Sequence, residues 1–202
     1  MMTPPRPPAL RLYHDRVNVD LFAGGGGTST GVEAAIGRGP DVAINHNLEA
    51  LAMHAKNHPL TRHLPTDVFE VDPVVACEGR PCGFAWFSPD CTYFSKARGK
   101  KPFRDPQKAR RIRGLAWVVV KWAEAPMPSR PEVIFVENVE EFQMWGAVGK
   151  DGKPDPAKRG HNFKRWLARL RRAGYDVEWR ELRACDYGSP TVAQAPVHHR
   201  PS

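Results

Sequence analysis

The sequence predicts an α/β fold, with a mainly parallel sheet covered by helices on both faces. Three observations carry this reading. Short apolar runs alternate along the chain with longer segments at helical spacing. With 202 residues, 41% hydrophobic and 26% charged, the chain suits one globular domain with a core and is too short for two ordinary ones. Glycines, a cysteine and a carboxylate stand just after the strands, where ligands bind in open parallel sheets.

The first run, Val17-Asn18-Val19-Asp20-Leu21-Phe22, predicts a buried strand that breaks at Gly24-Gly25-Gly26-Gly27. Thr28 or Ser29 is placed to cap a helix reaching about Ile36. Asp41 to Asn45 predicts a second strand, and Leu48 to Asn57 a helix that Pro59 ends. A further strand is expected near Val68-Phe69, and a fourth over Gly83 to Phe87. A loop rich in Lys and Arg then runs from Ser88 to Asp105. Pro106 opens a helix in which Ile112, Leu115, Ala116, Val119, Trp122 and Ala123 form one apolar face, until Pro126 and Pro128 end it. Glu132 to Glu137 predicts the fifth strand. Gly146 to Gly160 reads as a mobile polar loop. Phe163, Trp166, Leu167 and Leu170 mark another amphipathic helix, and Tyr175 to Leu182 a last strand.

Thirty Lys and Arg against 22 Asp and Glu give a net charge of +8. That balance favours a polyanionic partner, nucleic acid first, although a solvated basic surface explains it equally. No apolar run is long enough to span a bilayer, so no membrane partner is expected. The Pro-rich start, residues 1–15, reads as a disordered leader without the apolar core of a signal peptide. Cys77, Cys82, Cys91 and Cys185 fit no zinc spacing, so no metal is expected and free thiols in a reducing cytoplasm are.

Glycines at a strand-to-helix turn let a ligand approach the backbone, and the helix start favours negative charge. A nucleotide-like cofactor suits the turn from Phe22 to Gly31. A nicotinamide dinucleotide would want Gly-x-Gly-x-x-Gly and an acid on the second strand; here the third glycine is displaced and that strand ends in Asn45. In Ser88-Pro89-Asp90-Cys91-Thr92, Cys91 sits in a turn beside Lys96, Arg98, Lys100 and Lys101. Cationic surroundings lower a thiol pKa and favour the nucleophilic thiolate, but this stretch alone reads equally as an inert core cysteine. Glu137, ending the fifth strand, is placed to project toward the same crevice as Cys91 and to act as a proton donor if burial raises its pKa. Alone it reads better as an acid at a helix start.

Taken together, these segments resemble the DNA cytosine-5 methyltransferase family. Asp20-Leu21-Phe22-Ala23-Gly24-Gly25-Gly26 is similar to its cofactor turn, Pro89-Asp90-Cys91 to its Pro-Cys nucleophile, and Glu137-Asn138-Val139 to its Glu-Asn-Val element. Asp186-Tyr187-Gly188-Ser189-Pro190 resembles the start of a later arginine motif. The four occur in family order over residues 17–190, and the wording around Cys91 looks like the bacteriophage and prophage branch. The resemblance implies a Rossmann-like sheet, DNA as partner, and methyl transfer from S-adenosylmethionine to cytosine C5, in a bacterial or phage-infected cell. It gives Cys91 the attack on C6 of a flipped-out base and Glu137 the bond to N3 and the exocyclic amine. It gives the cofactor Asp20, Phe22, Gly24, Gly26, Asn45, Asp67 and Pro89. Ser95, Lys96, Arg98, Lys100 and Lys101 would meet DNA. Two positions depart from the family. Asn45 and Asn47 stand where an acid usually meets the ribose, which implies a weaker cofactor grip. Asp90 replaces a second proline and would raise the Cys91 pKa unless Lys96 or Arg98 offsets it.

On these readings the catalytic domain covers residues 16–192. Beyond Val192 the family has Arg-x-Arg and a strand, whereas residues 193–202 show neither. If Ala193 to Pro201 is written as codons and shifted by one nucleotide, the frame can read Arg-Lys-Arg-Leu-Phe-Ile-Ile-Ala-Arg. We therefore hypothesise a frameshift near Val192, which reading the gene in all three frames from the Pro190 codon decides. A natural split, with a complementing chain carrying the target-recognition region, is the alternative. Either way an unpaired sheet edge and little methyl transfer by this chain alone are expected.

Overall fold

The structure is a computed structural model describing residues 15–94, 103–149, 152–188 and 194–201. Ser95, Lys96, Arg98, Lys100 and Lys101 lie outside the described residues. Two compact units can be distinguished. The first takes the chain up to Phe87 together with Glu124–Ile134; the second takes Ser88–Ala123 and the chain from Phe135.

In the first unit, β1 (Val17–Leu21) is buried at every position. It runs parallel to β2 (Val42–Ile44) and to β4 (Cys82–Phe87), with Leu21 level with Ile44 on one side and Phe87 on the other. Beyond β2 lies β3 (Arg62–Leu64), also parallel. With β5 (Val133–Val136) the sheet order is β3-β2-β1-β4-β5. Burial on both faces explains why these strands read as apolar runs rather than alternating ones. The order reverses between β1 and β4, so the carboxyl end of β1 is a topological switch point. α1 (Gly27–Ile36) follows β1, and α2 (Leu48–Asn57) follows β2, capped by Asn47, whose Oδ1 accepts from the Ala50 N–H at 3.0 Å. α3 (Pro73–Ala76) precedes β4. Expectation and structure coincide for α2 and nearly so for β1, β2, β4 and β5.

The second unit is built on an aromatic core. The 3₁₀ turn Glu140–Met144 carries Phe142, which is fully buried. Its ring meets Phe94 (5.3 Å between centroids), Trp145 (5.6 Å), Phe163 (5.4 Å) and Trp166 (5.4 Å). Phe163 and Trp166 come from α6 (His161–Arg172), whose apolar stripe, with Leu167 and Leu170, is buried as its spacing predicts. Trp166 Nε1 donates to the Ala116 carbonyl at 2.8 Å, which satisfies the one polar atom of a fully buried indole.

Five expectations need correction. The helix from Pro106 is two helices, α4 (Pro106–Arg113) and α5 (Trp117–Ala123). Gly114 carries a propensity cost, and tight bonds such as Leu115 N–H to Ile112 C=O and Trp117 N–H to Gly114 C=O replace the helical ladder there. Neither Thr28 nor Ser29 caps α1; the cap is Gly26, and Ser29 is buried on a carboxylate instead. Val68-Phe69 is not a strand: Asp67 Oδ1 accepts from the Phe69 N–H at 3.0 Å and closes a turn, and the strand lies earlier, at β3. The stretch after Gly146 folds on itself, with a bridge between Val148 and Pro154 and the 3₁₀ turn Pro156–Lys158 capped by Asp155. Finally, β6 (Tyr175–Arg183) is not left as a bare edge: β7 (Gln194–Pro201), within the tail expected to hold no strand, pairs antiparallel with it. An edge offers backbone donors and acceptors to any extended chain, so side-chain pattern was a poor guide.

Candidate active site

The chain leaves β1 through Phe22, a half-buried residue in the left-handed region at φ 63°. Such a backbone is unfavourable for an aromatic residue and persists only where its surroundings enforce it. Gly24 (φ 52°) and Gly26 (φ 102°) continue in conformations that favour glycine. On one side the turn is open: a Cβ at Gly24 would meet nothing closer than 3.9 Å, and one at Gly27 nothing within 4 Å. α1 starts here, so Gly24, Gly27 and a helix start face unfilled space, which fits a nucleotide-like cofactor, whereas a Cβ at Gly25 would run into the Met53 side chain.

Asp20 lies beneath the turn. It is fully buried, its Oδ2 accepts from the Ser29 hydroxyl at 2.8 Å, and its Oδ1 has no hydrogen-bond partner among the described residues. Burial pushes its carboxyl up to about 7, against the opposing effect of Ser29. A network follows. His54 Nε2 is 3.0 Å from Ser29 Oγ, and His54 Nδ1 is 2.8 Å from His63 Nε2. The hydroxyl's one proton goes to Asp20, so His54 donates through Nε2 and accepts at Nδ1 from His63. Of the other residues expected at the cofactor, Asn45 is half-buried and its side chain accepts from the Asn47 N–H at 3.0 Å. Asp67 is half-buried in its own turn.

The second cluster belongs to the other unit. Asp90 Oδ1 accepts from the Thr92 N–H at 2.7 Å, and the Cys91 carbonyl accepts from the Phe94 N–H at 2.8 Å. Asp90 thus makes a side-chain turn around Cys91, a local restraint of the kind a proline would otherwise give. Asn138 Nδ2 donates to the Pro89 carbonyl at 2.9 Å and its Oδ1 accepts from the Val139 N–H at 2.9 Å, tying the Cys91 turn to the segment that bears Glu137. Cys91 is half-buried. Its thiol is raised by burial first, then by the Glu137 and Asp90 charges and by Glu141. The cationic lowering expected from Lys96, Arg98, Lys100 and Lys101 falls outside the described residues; among the described residues, the charges that act on Cys91 are carboxylates and raise it. Burial raises Glu137 as well, the direction a proton donor needs.

Arg113, Asn57 and the α2 C-cap His58 were not singled out from sequence, and Asn138 was named only within the Glu-Asn-Val element. Arg113 is 5% exposed; its guanidinium donates to the Tyr93 carbonyl at 2.8 Å and to the Gly146 carbonyl at 3.2 Å, and lies 4.6 Å from the Phe94 ring centre. A lone arginine in a basic helix gives no sequence signal for this. The spacing of His54 and His58, four apart on one helix face, does. Among the described residues no helix is long and apolar enough to cross a membrane, and no group of three or more His, Cys, Asp or Glu is arranged to hold a metal.

Residues 17–194 match the family model for C-5 cytosine-specific DNA methylases. The type II methyltransferase M.SacI of Streptomyces achromogenes is 27% identical over a 202-residue alignment covering 90% of this chain and 46% of that protein. M.Sau3AI of Staphylococcus aureus is 28% identical over 101 residues, 45% of this chain and 22% of that protein. The chain thus spans about half the length of the first of these relatives and less of the second. In fold it is similar to the Dnmt2 methyltransferase of S. pombe (TM-score 0.62, 20% identity, 92% of this chain and 51% of that one). It is also similar to an E. coli chain described as a DNA modification methyltransferase encoded within a prophage (TM-score 0.63, 23% identity, 92% and 47%).

Proposed function

The chain belongs to the C-5 cytosine-specific DNA methylase family, and on that premise we propose that it carries the catalytic machinery for methylating C5 of cytosine in DNA. The observation that most supports this is the pairing of Cys91 with Glu137: a thiol on a hydrogen-bonded turn, close enough to a half-buried carboxyl to be raised by its charge. S-adenosylmethionine would be held by the turn from Phe22 to Gly27 with Asn45 and Asp67, and when bound would supply an electrophilic methyl group.

The residues of the chain do the rest. Cys91 Sγ, as thiolate, bonds to cytosine C6; the C5–C6 π pair moves toward C5 and the ring nitrogen. A proton on the Glu137 carboxyl, whose pKa burial raises, would bond to N3 and draw that charge. After alkylation at C5, loss of the C5 proton returns the electron pair and expels the Cys91 thiolate. The base must leave the duplex stack to be reached, and the basic segment Lys96 to Lys101 is the proposed phosphate contact. Burial raises the thiol in the free chain, so deprotonation accompanies base binding rather than preceding it.

The test is a covalent trap. DNA with 5-fluorocytosine and S-adenosylmethionine should give a denaturation-resistant adduct through Cys91, lost in Cys91→Ala. Salt-sensitive DNA binding without any adduct would instead assign the chain a non-catalytic, binding role.

A further inference from the structure

The carbonyl side of the glycine turn is held by one helix. Asn57 Nδ2 donates to the Gly25 carbonyl at 3.1 Å. His58 Nε2 is 3.1 Å from the Gly26 carbonyl oxygen and 3.2 Å from Thr30 Oγ1, and the Thr30 hydroxyl also donates to Gly26 at 2.9 Å. One turn earlier on α2, His54 reaches Ser29 inside α1. The rings of His54 and His58 are 4.8 Å apart between centroids.

A trans peptide points its C=O and N–H in opposite directions. Holding the Gly26 carbonyl toward His58 therefore turns the Gly27 N–H the other way, where a side chain at Gly27 would meet nothing within 4 Å. The restraint is also steric. A Cβ at Gly26 would lie 2.7 Å from the His58 ring, so ring and glycine are fitted to one another. His54 and His58 are buried, whereas Asn57 is exposed. Two of the three donors are thus fixed by packing, and the third can be changed without opening the core.

From this geometry we infer that His54 and Asn57 of α2, with His58 at its C-cap, are positioning residues for the adenosyl cofactor, orienting the Gly25–Gly27 peptides so that their free side is preformed for it. The inference rests on the cofactor reading above. Preforming a turn spares a ligand the cost of ordering it; removing one donor should weaken binding about threefold, and removing two about tenfold.

The experiment measures S-adenosylhomocysteine binding by titration calorimetry, together with amide exchange across residues 24–30 in the ligand-free chain. Asn57→Ala with His58→Leu should weaken binding about tenfold and speed exchange in that segment, while His58→Gln, which keeps a donor, stays within about threefold of the unsubstituted chain. If the buried change unfolds the protein, Asn57→Ala alone is read, and a weakening of about threefold with faster Gly25–Gly27 exchange is expected. Equal affinity in all variants, with binding by the unsubstituted chain, overturns the positioning role alone. No binding by the unsubstituted chain overturns the cofactor reading and this inference with it.

Discussion

Asp20 and His54 are joined through Ser29 and should bend the pH dependence of stability in opposite directions. Burial holds the Asp20 carboxyl at about 7 in the folded chain against 3.8 as the reference value. The neutral form is the one the fold favours. Its stabilisation is complete below 3.8 and is lost as pH rises through 7, because across that interval the folded state holds a proton the unfolded state has released. At about 1.4 kcal/mol per unit, the full span is worth up to about 4 kcal/mol, of which about 2 kcal/mol falls between pH 5 and 7. His54 runs the other way: burial, with the His63 and His58 charges, lowers it to about 4. The unfolded chain then holds the extra proton, so stability grows from pH 4 to 6.5, and His63, lowered by burial too, adds in the same sense. The unsubstituted chain should therefore show a flatter profile than either single variant. Urea unfolding at several pH values tests this. Asp20→Asn should gain about 2 kcal/mol relative to the unsubstituted chain between pH 5 and 7, whatever its offset at pH 5. His54→Gln should lose stability over the same range. A difference curve for Asp20→Asn that stays level, or falls with pH, would refute the reasoning.

Four other outcomes are expected. Gly26→Ala places a Cβ on a left-handed backbone and 2.7 Å from the His58 ring; a loss of about 1–3 kcal/mol in urea unfolding should result. Asp90→Asn keeps the turn acceptor for the Thr92 N–H but removes a charge that raises the Cys91 thiol. The pH midpoint of Cys91 alkylation, followed by mass spectrometry, should move down, and Glu137→Gln should move it in the same direction. Arg113→Met leaves the Tyr93 and Gly146 carbonyls without that donor; stability should fall by about 2–4 kcal/mol, read by thermal unfolding. Trp166→Ala opens a hole beside Phe142 and orphans a bond to Ala116, for about 3–5 kcal/mol of stability by the same measurement.

The parts legible in the sequence were those set by local chemistry. Leu48–Asn57 was ended by the following Pro59, and the structure keeps both ends and adds Asn47 as the cap. β1 and β4 were apolar runs because both faces are covered, and the glycines after β1 had to sit at a turn. What stayed hidden depends on partners distant in sequence. The break at Gly114 makes sense once Arg113 is seen reaching carbonyls 20 and 33 residues away. Val68 is buried like a strand residue, yet an aspartate one position earlier closes a turn. β7 formed on the backbone of β6, with which no side-chain pattern connects it.

The Cys91 turn shows how one substitution can keep a geometry and alter its electrostatics. A proline before the nucleophile would fix the backbone and carry no charge. Asp90 restrains the same backbone by accepting from Thr92, but adds an anion to a thiol already raised by burial and by Glu137. Two anions and a thiol in one half-buried site disfavour a resting thiolate. They disfavour it less if Glu137 takes up a proton as a base binds, because the largest of the charge effects on Cys91 is then neutralised. The arrangement therefore couples thiol ionisation to occupancy by a protonatable ring. It keeps Cys91 quiet toward adventitious electrophiles, so alkylation of the free chain should be slow at neutral pH, and a cytosine analogue that fills the site should slow it further by covering the thiol.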